Sequence, residues 1–179
     1  MKKAQAFTQD LIIAVVIITM MILIFFSFYT NQNIGTENIE NNVMSETKTI
    51  TDYLTTKGYP DDWNSTNVVR IGFTDNDYTL MLGKLELFSN MTRDDYDKAR
   101  TLLKTKYDYI IFFTDYNGNV LNITNQKFIG KQGINNTNIE SLESPTHISS
   151  ITRFVVLRDN NNSSVRIIEM VTYVWSKER

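Results

Sequence analysis

From Leu11 to Thr36 the chain carries no charged side chain, and Leu11 to Phe28 is almost wholly aliphatic or aromatic. A helix rising about 1.5 Å per residue carries such a run across nearly all of the ~30 Å hydrocarbon core of a bilayer. Lys2 and Lys3 precede the run, and no Lys or Arg occurs after it before Lys48. That asymmetry is expected to keep the N-terminus cytoplasmic and to send the rest of the chain to the outer side. The apolar run therefore constrains the remainder to be an anchored or assembled part.

The body beyond the run, about 150 residues, is enough for one domain with a core of its own and too little to suggest two. The formal charge of −2 and the pI near 5.4 argue against electrostatic binding to nucleic acid or anionic lipid, and no stripe of Lys and Arg appears. Cysteine is absent, so packing and hydrogen bonds are expected to hold an extracellular domain without disulfides. Nine Tyr and ten Phe supply large buried areas for that purpose.

Three readings of the N-terminus compete. A secretory signal peptide needs a shorter apolar core and a small-residue cleavage site, which Phe25-Phe26-Ser27-Phe28-Tyr29 does not offer. A plain single-pass anchor is the second. The third comes from the residues before the span: Lys2-Lys3-Ala4-Gln5, then a polar patch ending in Asp10. This pattern resembles the class III signal of archaeal type IV pilin-like proteins. The resemblance implies cleavage by a prepilin peptidase between Ala4 and Gln5, with the apolar segment kept on the mature chain. It also implies an acidic residue at the fifth mature position, where this chain has Gln9, with Asp10 one residue later. Asp10 suits the positive end of a helix. It would also pair with the amino group that cleavage exposes on a neighbouring subunit.

Glu37 to Thr56 holds no Pro or Gly, and Ile39, Val43, Ile50 and Leu54 share one helical face. Gly58 and Pro60 then stop the helix. The organisation expected is a leader over 1–4, an apolar helix over 5–30, its amphipathic continuation over 31–57, and a head over 58–179. Within the head the pattern predicts a short strand over 67–73, a turn at 75–77 and a helix over 83–91. Thr92-Arg-Asp-Asp95 reads as a capping box opening a second helix through Lys104, with Tyr96, Ala99 and Leu103 buried. Tyr107 to Thr114 is the strongest strand signal. Val120 to Thr124 comes next across Asn117-Gly118, a pair that favours a hairpin turn. The stretch 130–150 reads as loop, and a last hairpin joins 151–158 to 165–175. In that final strand Val165, Ile167, Val171, Tyr173 and Trp175 share a face that Glu169 interrupts. The fold class is α+β: one long N-terminal helix, short helices and an antiparallel sheet.

No catalytic constellation stands out, and no cofactor or metal is expected. His147 is the one histidine, placed in a loop beside Pro145. Cysteine nucleophiles, P-loops and Rossmann glycine patterns are absent from the sequence. Gly130-Lys-Gln-Gly133 reads as a turn. Asp75-Asn-Asp77 and Asp115 to Asn119 invite a calcium reading, but neither continues into a twelve-residue loop. Six sequons, at Asn64, Asn90, Asn122, Asn135, Asn161 and Asn162, match the N-glycosylation acceptor, and several fall in expected loops.

Two functions are compatible with these features. The first is a structural subunit of an extracellular filament for surface or cell adhesion, its partners being the membrane, like or related pilin subunits and the prepilin peptidase. The second is a single-pass membrane protein with an extracellular ligand-binding or accessory head, expected not to be a signalling receptor because only four residues follow Trp175.

Overall fold

The computed structural model describes residues 2–124, 126–139, 145–158 and 165–177, with side chains described except at 2–10, 30–39, 145, 146 and 177. The fold is α+β, as the sequence predicts. In chain order it comprises α1 (Lys2–Leu54), α2 (Leu82–Asp94), α3 (Tyr96–Leu102), β1 (Asp108–Thr114), β2 (Ile129–Gly130), β3 (Pro145–Arg158) and β4 (Val165–Lys177). The chain divides into two compact units, Met1–Ile39 and Glu40–Arg179.

In the first unit the side chains from Leu11 to Tyr29 are all exposed. This 19-residue span is long and apolar enough to cross a membrane. Its one threonine keeps its hydroxyl inside the helix, Thr19 Oγ1 donating to the Val15 carbonyl at 2.8 Å. A polar group in an apolar surround needs such a partner, and the preceding turn supplies it.

The second unit is built on a four-stranded antiparallel sheet of order β2-β1-β4-β3. One face receives the end of α1. Val43, Ile50 and Leu54 of the apolar stripe are buried there, each contributing about 1.5–3 kcal/mol. Ile39 lies among the residues whose side chains are not described. Thr47 and Thr51 complete the buried stripe, each hydroxyl donating to the carbonyl four residues back at 2.7 Å. Their polarity hides them from a hydrophobicity pattern, while their self-satisfied hydroxyls make them acceptable in the core. Asp52 reaches Arg153 on β3 at 2.9 Å, and Glu46 accepts from Thr105 at 2.6 Å.

Strand β1 is buried along its whole length. Tyr109, Ile111 and Phe113 enter the main core, where Phe113 meets Phe73 with ring centroids 6.4 Å apart and Tyr109 stacks on Phe88 and Tyr96. On the other face Ile110 packs with Trp175 and Ile139, while Phe112 stacks on Tyr173. A strand covered on both sides reads as a continuous apolar run, which is why this segment carries the strongest signal. Strand β2 approaches it closely. At Gly130, φ +146, a Cβ would lie 2.2 Å from the Tyr109 carbonyl oxygen, so only glycine fits.

Several expectations are corrected. The strand expected at 67–73 is reduced to isolated bridges, Tyr59 to Arg70 and Thr74 to Leu80. The segment 120–124 likewise makes one bridge, Thr114 to Val120, and no strand. Thr92 does not cap a helix: it is buried in α2, 3.4 Å from the Tyr109 hydroxyl. The cap of α3 is Asp95, whose carboxylate accepts from the Lys98 N–H at 2.9 Å. Ala99 and Leu103 are buried as expected. Strand β3 begins at Pro145, inside the stretch read as loop. In β4 the core face is Ile168, Met170, Thr172 and Val174, while Val165 and Ile167 on the alternate face are exposed.

Two hairpin turns share one geometry that the sequence repeats as Phe-Thr-Asp, at 73–75 and 113–115. In each, the Asp N–H donates to the carbonyl four residues on, at 2.9 Å for Asp75 and 3.0 Å for Asp115. In each, the fourth residue takes positive φ: Tyr78 at +57 and Gly118 at +80. Asn117 does not, so the turn is not the two-residue type that Asn-Gly suggests. Gly118 has open space around its missing Cβ. Gly118→Ala is therefore expected to lose about 1 kcal/mol from backbone strain alone. In a domain of this size that lowers Tm by about 2–4 °C, readable by calorimetry.

Candidate functional site

The features with functional content fall into the apolar segment of α1 and a set of polar turns on the head. Leu11–Tyr29 offers an apolar surface on every side of the helix, broken only by small or self-bonded groups. Toward its C-terminal end Phe25, Phe26, Phe28 and Tyr29 cluster, with Phe25 stacked on Tyr29 at 6.4 Å. Aromatic rings gather in this way where a span meets a membrane–water boundary. Ala4, Gln5, Gln9 and Asp10 fall within α1, and their side chains lie outside the described residues.

Two of the sequons fold into the same box. At Asn64, Oδ1 accepts from the Thr66 N–H at 2.9 Å and the Thr66 hydroxyl at 2.6 Å, while the Asn64 N–H donates to Asn67 Oδ1 at 2.6 Å. At Asn135, Oδ1 accepts from the Thr137 N–H at 2.9 Å and its hydroxyl at 2.7 Å, and the Asn135 N–H donates to Asn138 Oδ1 at 2.7 Å. Both boxes read Asn-x-Thr-Asn followed by a β-branched apolar residue. Short amide side chains compete well for backbone N–H groups, so the motif makes its own turn. In both, the turn uses Oδ1, leaving the Nδ2 atom that a glycan would occupy outside the box.

The other sequons differ. Asn90 is half-buried within α2, one turn before its end. Asn122 is exposed in an extended segment outside the strands. Asn161 and Asn162 lie outside the described residues.

In the two turns considered as calcium loops, Asp75 and Asp115 turn carboxylate oxygens onto the backbone of their own loops. Asp75 Oδ1 accepts from the N–H groups of Asp77 and Thr79 at 2.9 and 2.8 Å. Asp115 Oδ1 accepts from those of Asn117 and Asn119 at 2.8 and 2.9 Å, and its Oδ2 accepts from Asn119 Nδ2 at 3.0 Å. Among the described residues no group of three or more His, Cys, Asp and Glu is placed to hold a metal ion.

His147 is in β3, not in a loop, and stands opposite Ser176. Its Nε2, the Ser176 hydroxyl and the Trp175 indole N–H are buried and have no hydrogen-bond partner among the described residues. A nucleophile and base need to bond each other, and His147 Nε2 and Ser176 Oγ do not. Gly130-Lys-Gln-Gly133 ends β2 and turns away from it. A shallow cleft beside it is lined by Arg93, Lys127, Lys131 and Gln132. Lys131 is committed to the buried Asp108 at 3.5 Å, as is Arg100, and Arg93 pairs with Asp94 at 3.1 Å. Tyr96 donates to Asp108 at 3.1 Å and accepts from the Tyr109 N–H at 3.0 Å. Burial raises the pKa of both tyrosines, so they remain neutral donors. The cluster ties α3 to β1. No known protein family, curated protein or solved structure matches this chain.

The turn at Asp115 titrates in a defined direction. Bonds from Asn119 and then Asn117 hold its carboxyl below the usual value. A depressed folded pKa gives stability that is present above the unfolded pKa and lost as pH falls through the folded one. Asp115→Ala is therefore expected to lower Tm at pH 7, and its gap from the parent protein to narrow below about pH 4. A gap that stays constant across a pH series of thermal melts would contradict this account.

Proposed function

We propose that the chain is a structural subunit of an extracellular filament of the archaeal type IV pilus kind, serving adhesion to surfaces or cells. The observation that carries this reading is the fully exposed apolar helix Leu11–Tyr29, on a chain whose head is a separately packed α+β unit. Such a helix is stable in two dry settings, lipid before assembly and the helices of other subunits afterwards, because its backbone and its threonine are bonded internally. Lys2 and Lys3 hold the N-terminus in the cytoplasm until cleavage after Ala4 frees Gln5. Asp10 then pairs with the new amino group of a neighbouring subunit while Gln9 stays passive. The head lies outside and forms the filament's surface, and its size suits a minor or tip subunit as well as a major one.

The mature N-terminal residue tests this directly. A start at Gln5 is expected, and Ala4→Leu is expected to leave Met1 in place and abolish filaments seen by electron microscopy. Asp10→Asn is expected to block assembly while Gln9→Ala does not. An intact Met1 with stable membrane residence would sink the filament reading and leave a single-pass anchored head with an accessory or ligand-binding task.

Glycan attachment is tied to the same placement outside the cell. Asn64 and Asn135, in surface turns with Nδ2 outside the hydrogen-bonded box, are expected to carry glycans, and half-buried Asn90 to carry none. Intact-peptide mass spectrometry of the protein from its own cells reads the occupancy. Modification at Asn90 with Asn64 and Asn135 bare would overturn this ordering.

A further inference from the structure

The sheet's two edges are unlike. At one, β2 is two residues long. At the other, β3 runs for fourteen residues and pairs with β4 on one side only. Its free side is occupied at Val156, whose N–H donates to the Tyr78 carbonyl at 2.9 Å and whose carbonyl accepts from the Leu80 N–H at 2.8 Å. Those bonds show which backbone groups point outward: residue 156 and, at the strand's period of two, 154, 152, 150 and 148. The register with β4 is unbroken from Ile148 to Arg158, so the alternation holds throughout. Among the described residues no backbone group bonds this outer side from 148 to 154.

Long edges without protection are uncommon, because unpaired N–H and C=O groups recruit other strands. The usual blocks lie at the ends of this edge or are neutralised. No Lys, Asp or Glu occurs from 145 to 157, and the one charge there, Arg153, is on the core face and paired with Asp52. Pro145 lies at the start, and the register irregularity lies between Pro145 and His147. The open stretch is bounded by that irregularity at one end and by the 78–80 segment at the other, which centres it on Ile151.

We propose that this edge pairs antiparallel with the same edge of a second copy, about a two-fold axis at Ile151. The sequence is self-complementary in that register. On the outer face Ile148 (37% exposed) meets Phe154 (67% exposed) of the second copy, apolar against apolar. Ser150 meets Thr152, hydroxyl against hydroxyl, a favourable cross-strand pair. Residues opposite each other both carry outward N–H and C=O groups, so the pairs at 148–154 and 150–152 are hydrogen-bonded ones. Ile151 faces itself at a non-hydrogen-bonded position. Arg153 meets Ser149, so no like charges oppose, and its own partner Asp52 is retained. The contact is isologous and closes at two copies. It does not depend on the filament reading, and by itself it joins heads in pairs without propagating.

The chain has no cysteine, so single cysteines report cleanly. The full chain in detergent micelles is expected to form disulfide dimers from Ile151→Cys about ten-fold faster than from Tyr116→Cys at an exposed hairpin tip, because pairing raises the local thiol concentration. Non-hydrogen-bonded partners sit about 4.5 Å apart at Cα, within disulfide reach. A mixture of Ile148→Cys and Phe154→Cys chains is expected to cross-link, and neither alone. Ser150→Pro, which removes an outward N–H that β4 does not use, is expected to abolish the dimer with far-UV circular dichroism unchanged. Should that variant fail to fold, Thr152→Lys serves the same purpose. Equal rates at 151 and 116, failure of the mixed pair, or a dimer indifferent to both edge variants would overturn the proposal. The last result would assign association to the apolar helix instead, and a monomer at all concentrations would overturn it too, leaving the edge to a different partner.

Discussion

Strand β1 has no free side. Its backbone is paired with β2 and β4, one face carries the main core through Tyr109, Ile111 and Phe113, and the other carries Ile110 and Phe112 under the 128–139 segment. Burial on both faces is what the remaining elements serve. Helix α2 and the end of α1 cover one side, and the Ile134–Ile139 turn covers the other near Trp175. Asp108 at its start is the one buried charge among the described residues, and Arg100, Lys131 and Tyr96 surround it. An uncompensated carboxylate there would cost far more than the surface pairs elsewhere contribute.

Outside that core, order comes from short polar side chains closing their own turns. Asp75 and Asp115 close two hairpins in one manner, and Asn64 and Asn135 close two surface turns in another. Each arrangement appears twice, the Asp turns sharing only Phe-Thr-Asp, since the geometry depends only on a side chain reaching backbone two to four residues away. This explains why the acidic turns resemble ion sites without needing an ion. It also gives the threonines of the Asn64 and Asn135 sequons a structural role: the hydroxyl bonds the Asn Oδ1 in both.

The apolar segment of α1 obeys a different rule. A helix satisfies its own backbone, so nothing in Leu11–Tyr29 has to be met by water or by the head. The same property makes the segment indifferent between lipid and other helices. Its chemistry therefore limits the surroundings to dry ones.

What the sequence determined by itself was short-range. The apolar helix, the stop at Gly58, the β1 run, the last hairpin and the turns at Asp75 and Asp115 were legible, because periodicity and turn chemistry act over a few residues. Tertiary structure decided the rest. Thr47, Thr51 and Thr92 became core residues because helices could satisfy or neighbours could meet their hydroxyls, which no hydrophobicity pattern signals. The core face of β4 proved to be Ile168, Met170, Thr172 and Val174, because α1 and α2 cover that side, while on the other Trp175 is buried, Tyr173 is partly covered, and Val165 and Ile167 are exposed. A strand that is apolar on both faces does not carry the choice between them. That choice belongs to whichever long-range segments arrive to cover it.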